Sequence, residues 1–234
     1  MRLFAYERFR ASYRRLPRPT QQKVEKALRL LAEHPRHPSL RRNACEGKML
    51  VMDFEQALKT LLEGFDRLHI RYAVCGGFAL GVLGVPRATA DIDFLVHRDD
   101  LEALHGQLTA MGYTRAAQTA NVSHYRHADR VWGAVDILHA FRQYSLEMLE
   151  RVRSYPIFDG SLTAKVLQPE DVIGFKIQAM ANNPLRLVQE QADIEALASH
   201  YRDRLDWKRV QGYYDLFDRG EEGRRLRERF GHAQ

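Results

Sequence analysis

The run "DIDFLV" at residues 91–96 sets two aspartates into a segment whose other side chains are apolar. Apolar β-branched and aromatic residues in a short run favour a buried strand, and successive side chains of a strand point to opposite faces. Asp91 and Asp93 therefore share one face, about 7 Å apart, whereas Ile92 and Phe94 face the core. Any fold built on this strand must leave one sheet face open to charge.

Helical and strand-like patterns alternate around this run. The segment "DFEQALKTLLEGFDRLH" places six apolar residues on one helical stripe: Phe54, Leu58, Leu61, Leu62, Phe65 and Leu68. "RYAVC" is a short β-rich run, and "LQPEDVIGFKIQAMANN" predicts a helix that Pro169 begins. With 234 residues, 45% of them apolar, the chain can bury a sizeable core.

Charge is distributed unevenly along the chain. Residues 1–48 contain 13 Lys and Arg against 4 Asp and Glu, whereas residues 49–234 contain 23 against 26. This shift predicts a basic helical extension over 1–48, a core over 49–165 and a helical C-terminal region over 166–234. The basic extension is typical either of a solvated helical hairpin or of a nucleic-acid-binding segment.

Neither a membrane protein nor a disulfide-rich secreted protein is indicated. No run of about 18 apolar residues could span a bilayer, and "MRLFAYERFR" lacks the apolar region of a signal peptide. Cys45 and Cys75 have no disulfide or zinc-site spacing. These features predict a cytoplasmic protein without a membrane partner.

The paired acids indicate a cation site. Two close carboxylates raise each other's pKa unless a cation lies between them, and Mg²⁺ is usually held by one or two carboxylates plus substrate phosphates. Asp136, in "RVWGAVDILHAF", lies in another strand-like run and could complete the cluster from a neighbouring strand about 4.8 Å away. We therefore predict Asp91, Asp93 and Asp136 as ligands of Mg²⁺ or Mn²⁺.

A glycine pair precedes the acids. Gly76 and Gly77 lie between a strand-like run and a helical one. Glycine allows a tight turn and close approach to a ligand, and the N-terminus of the following helix offers N–H groups to phosphate.

These motifs together resemble the DNA polymerase beta-like nucleotidyltransferase superfamily: Gly76-Gly77, thirteen residues, Asp91-Ile-Asp93, then Asp136. "RATADIDFLV" resembles the AbiEii type, found in abortive-infection and toxin–antitoxin systems, and lincosamide-modifying nucleotidyltransferases are similar here. The resemblance implies an α/β (α+β) fold: a nucleotidyltransferase core with a mixed, mostly antiparallel sheet flanked by helices, followed by a helical C-terminal region.

Further site residues follow from the same resemblance. Arg87 and Thr89 match its "R-x-T-x-D-x-D" pattern, Lys176 matches a triphosphate-binding lysine, and Asp193 in "ADIEAL" matches the acidic residue of a later "KDI…L" element. With Gly76 and Gly77 they form the expected nucleotide site. The alternatives are ordinary loop roles for Arg87 and Thr89, a Lys176 that reaches water or an anionic partner, and a solvated or capping Asp193.

Residues 1–47 carry a second resemblance. "FRASYRRLPRPTQQKVEKALRLLAEHPRHPSLRR" resembles the two opening helices and basic loop of RelE/ParE-like toxins. The later strands of that family do not follow, which indicates a truncated or fused remnant.

The implied function is metal-dependent transfer of a nucleoside monophosphate from a nucleoside triphosphate to a hydroxyl, with Asp91, Asp93, Asp136 and Lys176 catalytic. The acceptor is a tRNA 3′ end or a partner toxin or antitoxin protein in a toxin–antitoxin or phage-defence setting. Two alternatives remain open: a non-catalytic binding module or antitoxin of the same fold, and an antibiotic nucleotidyltransferase.

Overall fold

The computed structural model describes residues 54–231 except 86, 88, 90 and 130, together with Arg18. By contacts the chain divides into two units, Met1–Met49 and Leu50–Gln234, and the fold below belongs to the second. The resemblance of the N-terminal segment to RelE/ParE-like toxins lies outside the described residues and stays a prediction, as do the domain boundaries.

Seven strands form one sheet in the described part of the chain: β1 Tyr72–Cys75, β2 Asp91–His97, β3 Tyr113–Gln118, β4 Val122–His127, β5 Ala134–Ala140, β6 Arg153–Ile157 and β7 Leu162–Val166. Their order across the sheet is β3-β4-β5-β2-β1-β7-β6. The pairs β2/β5 and β1/β7 are parallel and the other four are antiparallel. The predicted mixed, mostly antiparallel sheet is confirmed.

Eight α-helices accompany the sheet within the described residues: α1 Phe54–Arg67, α2 Gly76–Val82, α3 Leu101–Ala110, α4 Gln143–Glu150, α5 Pro169–Asn182, α6 Leu187–Tyr201, α7 Trp207–Leu216 and α8 Gly220–Phe230. The last four follow β7, as expected for a helical C-terminal region. Among the helices of the described part, none combines the length and the apolar character needed to cross a membrane.

Among the described side chains, the predicted stripe of α1 is buried with one exception, and the prediction for the Phe54 side chain lies outside them. Leu58, Leu61, Leu62 and Phe65 are at most 1% exposed, whereas Leu68 is 41% exposed. The prediction for Leu68 is wrong: α1 ends at Arg67, and Leu68, whose N–H still donates to the carbonyl oxygen of Gly64, is exposed in the turn that follows.

Ile92 and Phe94 of β2 face the core, as expected from the sequence. Ile92 and Phe94 are completely buried, and the ring of Phe94 meets that of Phe65 edge to face with centroids 5.1 Å apart. Edge-to-face pairs of this kind add to the stabilisation from burial alone. Because α1 packs on this face, Asp91 and Asp93 are left on the opposite one.

The turn from β1 into α2 depends on Gly76. Its φ of +62° lies in the left-handed region, where a residue with a β-carbon is strained. A β-carbon at this position would also overlap the carboxylate of Asp93. The glycine therefore lets the backbone of the turn pass directly beside the acid strand.

Helix α5 is fixed at its first turn by buried polar contacts. Pro169 begins the helix, as predicted. The completely buried Asp171 accepts a hydrogen bond of 2.7 Å from the Tyr213 hydroxyl of α7 and one of 3.2 Å from Arg151. A buried carboxylate is tolerated only when it is hydrogen-bonded in this way, so these contacts set the position of α5 against α7.

We expect Gly76→Ala to lower the free energy of unfolding by roughly 2 kcal/mol or more. The added β-carbon is strained at a left-handed φ, and it overlaps the Asp93 carboxylate. The matched control is Gly81→Ala in the same helix, where a β-carbon meets nothing within 4 Å. That change should be neutral or stabilise by about 0.5–1 kcal/mol. Urea denaturation measures both, and equal effects of the two substitutions would contradict the role of Gly76.

Candidate active site

The three predicted acids are brought together by the register of β2 and β5. Asp93 is paired with Asp136 across the parallel strands, and Asp91 is paired with Ala134. Residues paired in this way lie on neighbouring strands about 4.8 Å apart. Asp91, Asp93 and Asp136 are each partly buried and lie on the sheet face opposite the α1 core.

The electrostatics of Asp93 reflect this crowding. Burial and the negative charges of Asp91 and Asp136 raise the pKa of Asp93 to about 7, from an ordinary value of 3.8. A hydrogen bond from the backbone N–H of Gly77 and the positive charge of Lys176 oppose this rise in pKa. The site therefore has an excess of negative charge at its centre.

Thr89 lies against the other acid of β2. Its hydroxyl oxygen is 2.8 Å from Asp91 Oδ1 and 3.1 Å from the Asp91 carbonyl oxygen. A β-carbon at Gly77 would come within 2.9 Å of the Thr89 side chain, so these two predicted residues are also adjacent. The N–H of Gly77, expected to face a phosphate, is directed to Asp93 in this structure.

Asp136 has two partners on β4 that the sequence analysis missed. Arg126 donates a hydrogen bond of 3.0 Å to Oδ1 of Asp136, and Nδ1 of His124 lies 3.0 Å from the same oxygen. The available signal was the alternation of "VSHYRH", which places His124 and Arg126 on one face of a strand. That signal alone does not show which strand lies beside them.

Lys176 is buried and lies between two carboxylates of α6. Its Nζ donates to Glu190 Oε2 at 2.7 Å and to Asp193 Oδ2 at 2.6 Å. Arg87 also forms an ion pair with Asp193, so three residues predicted for the nucleotide site belong to one network. The alternative in which Lys176 has an anionic partner is therefore what the structure shows. The alternative of a solvated Asp193 is wrong, because that residue is only 7% exposed.

Glu190 completes this network and was also missed. It is 1% exposed and forms a second ion pair with Arg186, four residues earlier. Three cations, Arg87, Lys176 and Arg186, therefore meet the two carboxylates of Glu190 and Asp193, which leaves a net charge of +1. The signal in the sequence was the spacing of three between Glu190 and Asp193, which puts both on one helical face.

The donor chemistry fits an oxygen-preferring cation only in part. Among the described residues, no group of three or more His, Cys, Asp and Glu side chains is arranged to hold a metal ion. Asp136 is engaged by Arg126 and His124, which leaves Asp91 and Asp93 as the available carboxylate pair. This suits Mg²⁺, which is commonly bound by one or two carboxylates together with substrate phosphates.

The amino-acid sequence matches one known protein family. The model of a family described as uncharacterised nucleotidyltransferases matches residues 21–214, which is most of the chain. The chain belongs to this family. It is accordingly a nucleotidyltransferase enzyme, as predicted. The match begins inside the segment set apart as an extension, and the AbiEii-type resemblance remains a prediction.

Two solved structures of one antibiotic-resistance factor show the same fold. The solution structure of the antibiotic-resistance factor ANT(2'')-Ia aligns with a TM-score of 0.54 and 14% identity over 76% of this chain and 99% of that one. The crystal structure of ANT(2'')-Ia in complex with adenylyl-2''-tobramycin aligns with a TM-score of 0.51 and 14% identity, over 70% of this chain and 97% of that one. The lincomycin-bound structure of the lincosamide antibiotic adenylyltransferase LnuA is less similar, with a TM-score of 0.46 and 16% identity over 62% of this chain and 97% of that one. No curated protein matches the sequence.

The raised pKa of Asp93 predicts how stability depends on pH. Folding places the group at a pKa of about 7 instead of 3.8, so the metal-free protein loses stability as the pH rises through this interval. Asp93→Asn removes the cost, and we expect it to stabilise the metal-free protein by about 2 kcal/mol more near pH 8 than near pH 5.

Chemical denaturation in the presence of a chelator at the two pH values measures this difference. The matched control is Glu63→Gln, an exposed carboxylate on α1. Its effect should be small at both pH values. If Asp93→Asn had the same effect at both pH values, then burial of Asp93 beside Asp91 and Asp136 would not lower the stability of the folded protein.

Proposed function

We propose that the protein transfers a nucleoside monophosphate from a nucleoside triphosphate to a hydroxyl group, with a divalent metal ion. The single observation that supports this best is the pairing of Asp93 with Asp136 across adjacent strands, with Asp91 on the same face. In a member of a nucleotidyltransferase family, such concentrated negative charge favours a cation and the phosphates it brings.

Asp91 and Asp93 are the residues that would hold Mg²⁺ or Mn²⁺. When bound, the ion would screen the acids from one another and withdraw charge from the triphosphate. Thr89 keeps Asp91 oriented through its contact with Oδ1. Gly76 supplies the space that a side chain would otherwise take from Asp93.

The triphosphate would lie on the side of the Lys176 network. Arg87 and Lys176 are cations that share Asp193 as a partner, and a polyphosphate could replace this carboxylate as their counter-charge. Lys176 would then offset the charge on the departing pyrophosphate. Asp193 acts here by positioning both cations, and the Gly76-Gly77 turn would contact the phosphates.

Asp136 would serve the acceptor side. The acceptor oxygen forms a bond to the α-phosphorus, the bond from that phosphorus to pyrophosphate breaks, and the proton of the acceptor hydroxyl passes to Asp136. Arg126 and His124 both contact Oδ1 of Asp136, which fixes the carboxylate against β4. This division of roles assigns β2 to the donor and β5 to the acceptor.

The acceptor class follows from the family resemblance. The AbiEii-like motifs favour a tRNA 3′ end or a partner protein in a toxin–antitoxin or phage-defence setting. The alternatives are an antibiotic hydroxyl, since ANT(2'')-Ia shares the fold, and a non-catalytic module or antitoxin. A transfer assay with different acceptors separates all of these.

We expect purified protein with Mg²⁺ to transfer label from one α-labelled nucleoside triphosphate to a component of bulk tRNA or cell lysate. Asp91→Asn/Asp93→Asn should abolish transfer, because the metal loses both carboxylates. Lincomycin and tobramycin are tested in parallel as antibiotic acceptors. Transfer by the double variant at the wild-type rate would contradict the assignment of these acids, and absence of transfer with every acceptor would favour the non-catalytic module.

We expect Asp136→Asn to lower the rate of transfer by at least about 100-fold, a range typical of lost general-base catalysis, with triphosphate affinity almost unchanged. Single-turnover kinetics and calorimetric titration with a non-hydrolysable triphosphate give the two quantities separately. Asp129→Asn, near the start of the β4–β5 connection, is the matched control and should retain transfer. Parallel loss of affinity and rate would point instead to a structural role for Asp136.

A further inference from the structure

A second charged cluster lies where β2 and β5 end. His97 and Ala140 form the last pair of these parallel strands, so the residues that follow them, Arg98 and Phe141, are neighbours. The guanidinium carbon of Arg98 lies 3.3 Å from the centroid of the Phe141 ring, and that of Arg142 lies 5.1 Å from the same centroid. Two arginines thus surround one aromatic ring.

The hydrogen bonds of these arginines go to neutral oxygens. Arg98 donates to the carbonyl oxygen of Ala120 at 3.4 Å. Arg142 donates to the side chains of Asn121 at 3.4 Å and Tyr144 at 3.2 Å. Within the part of the chain that the structure describes, these long bonds to neutral groups leave the positive charge of both guanidinium groups uncompensated, and both side chains are exposed.

The acids next to Arg98 in the sequence have other partners. Asp100 accepts hydrogen bonds from Arg71 at 2.8 and 2.9 Å, and Asp99 lies 3.8 Å from the same guanidinium group and 3.6 Å from His97. Their negative charges are therefore directed away from the arginine cluster.

The arginines of helix α8, in contrast to Arg98 and Arg142, are paired with acidic side chains. Arg224 and Arg225 both pair with Glu221, and Arg229 pairs with Glu195. The sequence "RRLRERF", which as a linear pattern offers a basic track, is thus largely neutralised by neighbouring acids. An unneutralised cluster at the ends of β2 and β5 is the better anion-binding surface.

We propose that Arg98, Phe141 and Arg142 form a binding site for single-stranded nucleic acid. A guanidinium group contacts phosphate bidentately, and its planar face also stacks on a base, so two arginines held around a ring provide both contacts. The adjacent Asn121 side chain adds a neutral hydrogen-bonding group. A purely acidic protein segment would use the charge but not the stacking surface.

The cluster is separate from the acid site. Phe141 lies five residues beyond Asp136 along β5, which corresponds to about 17 Å. Substitutions in the cluster therefore leave the acids and the Lys176 network in place. Binding at this site is independent of the proposed transfer reaction, and failure of one does not imply failure of the other.

The test measures fluorescence anisotropy of a labelled 15-nucleotide single-stranded RNA with the full chain at several salt concentrations. We expect Arg98→Gln/Arg142→Gln to weaken binding by about tenfold and to reduce the slope of log affinity against log salt by about 1.4, roughly 0.7 for each lost phosphate contact. DNA of the same sequence should bind comparably, because the site recognises phosphate and base faces.

The matched control is Arg224→Gln/Arg225→Gln, which removes the same charge from α8 and should change affinity less than twofold. Thermal denaturation and triphosphate binding verify that both variants fold. The proposal is overturned if wild type does not bind RNA, if both double variants weaken binding equally, or if polyglutamate displaces RNA as effectively as unlabelled RNA does.

Discussion

The repulsion among Asp91, Asp93 and Asp136 is the constraint to which the rest of the site responds. The strands hold these carboxylates on one sheet face because the alternate residues of β2, Ile92 and Phe94, are completely buried on the other. Burial, together with the negative charges of Asp91 and Asp136, raises the pKa of Asp93 to about 7. The fold therefore carries a local electrostatic cost that a bound cation would relieve.

Two sets of partners limit this cost from opposite sides. On one side Lys176 lowers the pKa of Asp93 while it is itself held by Glu190 and Asp193 of α6. On the other side Arg126 on β4 fixes Asp136. Lys176 acts on Asp93 through its charge, whereas Arg126 is hydrogen-bonded to Asp136.

The fold alone leaves the acceptor open. Chains that share it, such as ANT(2'')-Ia, are only 14% identical to this one, and a likeness at that level does not extend to substrates. In this chain the exposed arginines around Phe141, whose charge has no acidic partner among the described residues, form the surface proposed above to bind single-stranded nucleic acid.

The sequence by itself determined the local features. Residues of alternating polarity defined β2 and its two acids, Pro169 marked the start of α5, and the glycine pair marked the turn, because strand and helix periods are properties of short segments. The strand-like run around Asp136 predicted this residue as a third acid of the cluster, and the family motifs agreed. Leu68 shows the limit even of local patterns, since the helical period did not reveal that α1 stops at Arg67.

The tertiary structure alone decided the partners. Lys176 meets Glu190 from the next helix, Asp136 meets Arg126 across a strand pair, and Arg98 stacks on Phe141 although 43 positions separate them. Each contact depends on register or on helix packing between distant segments. Ionic and cation–π contacts between distant segments leave no periodic trace in the chain, because an arginine or a buried acid could have several partners until the backbone brings one of them close.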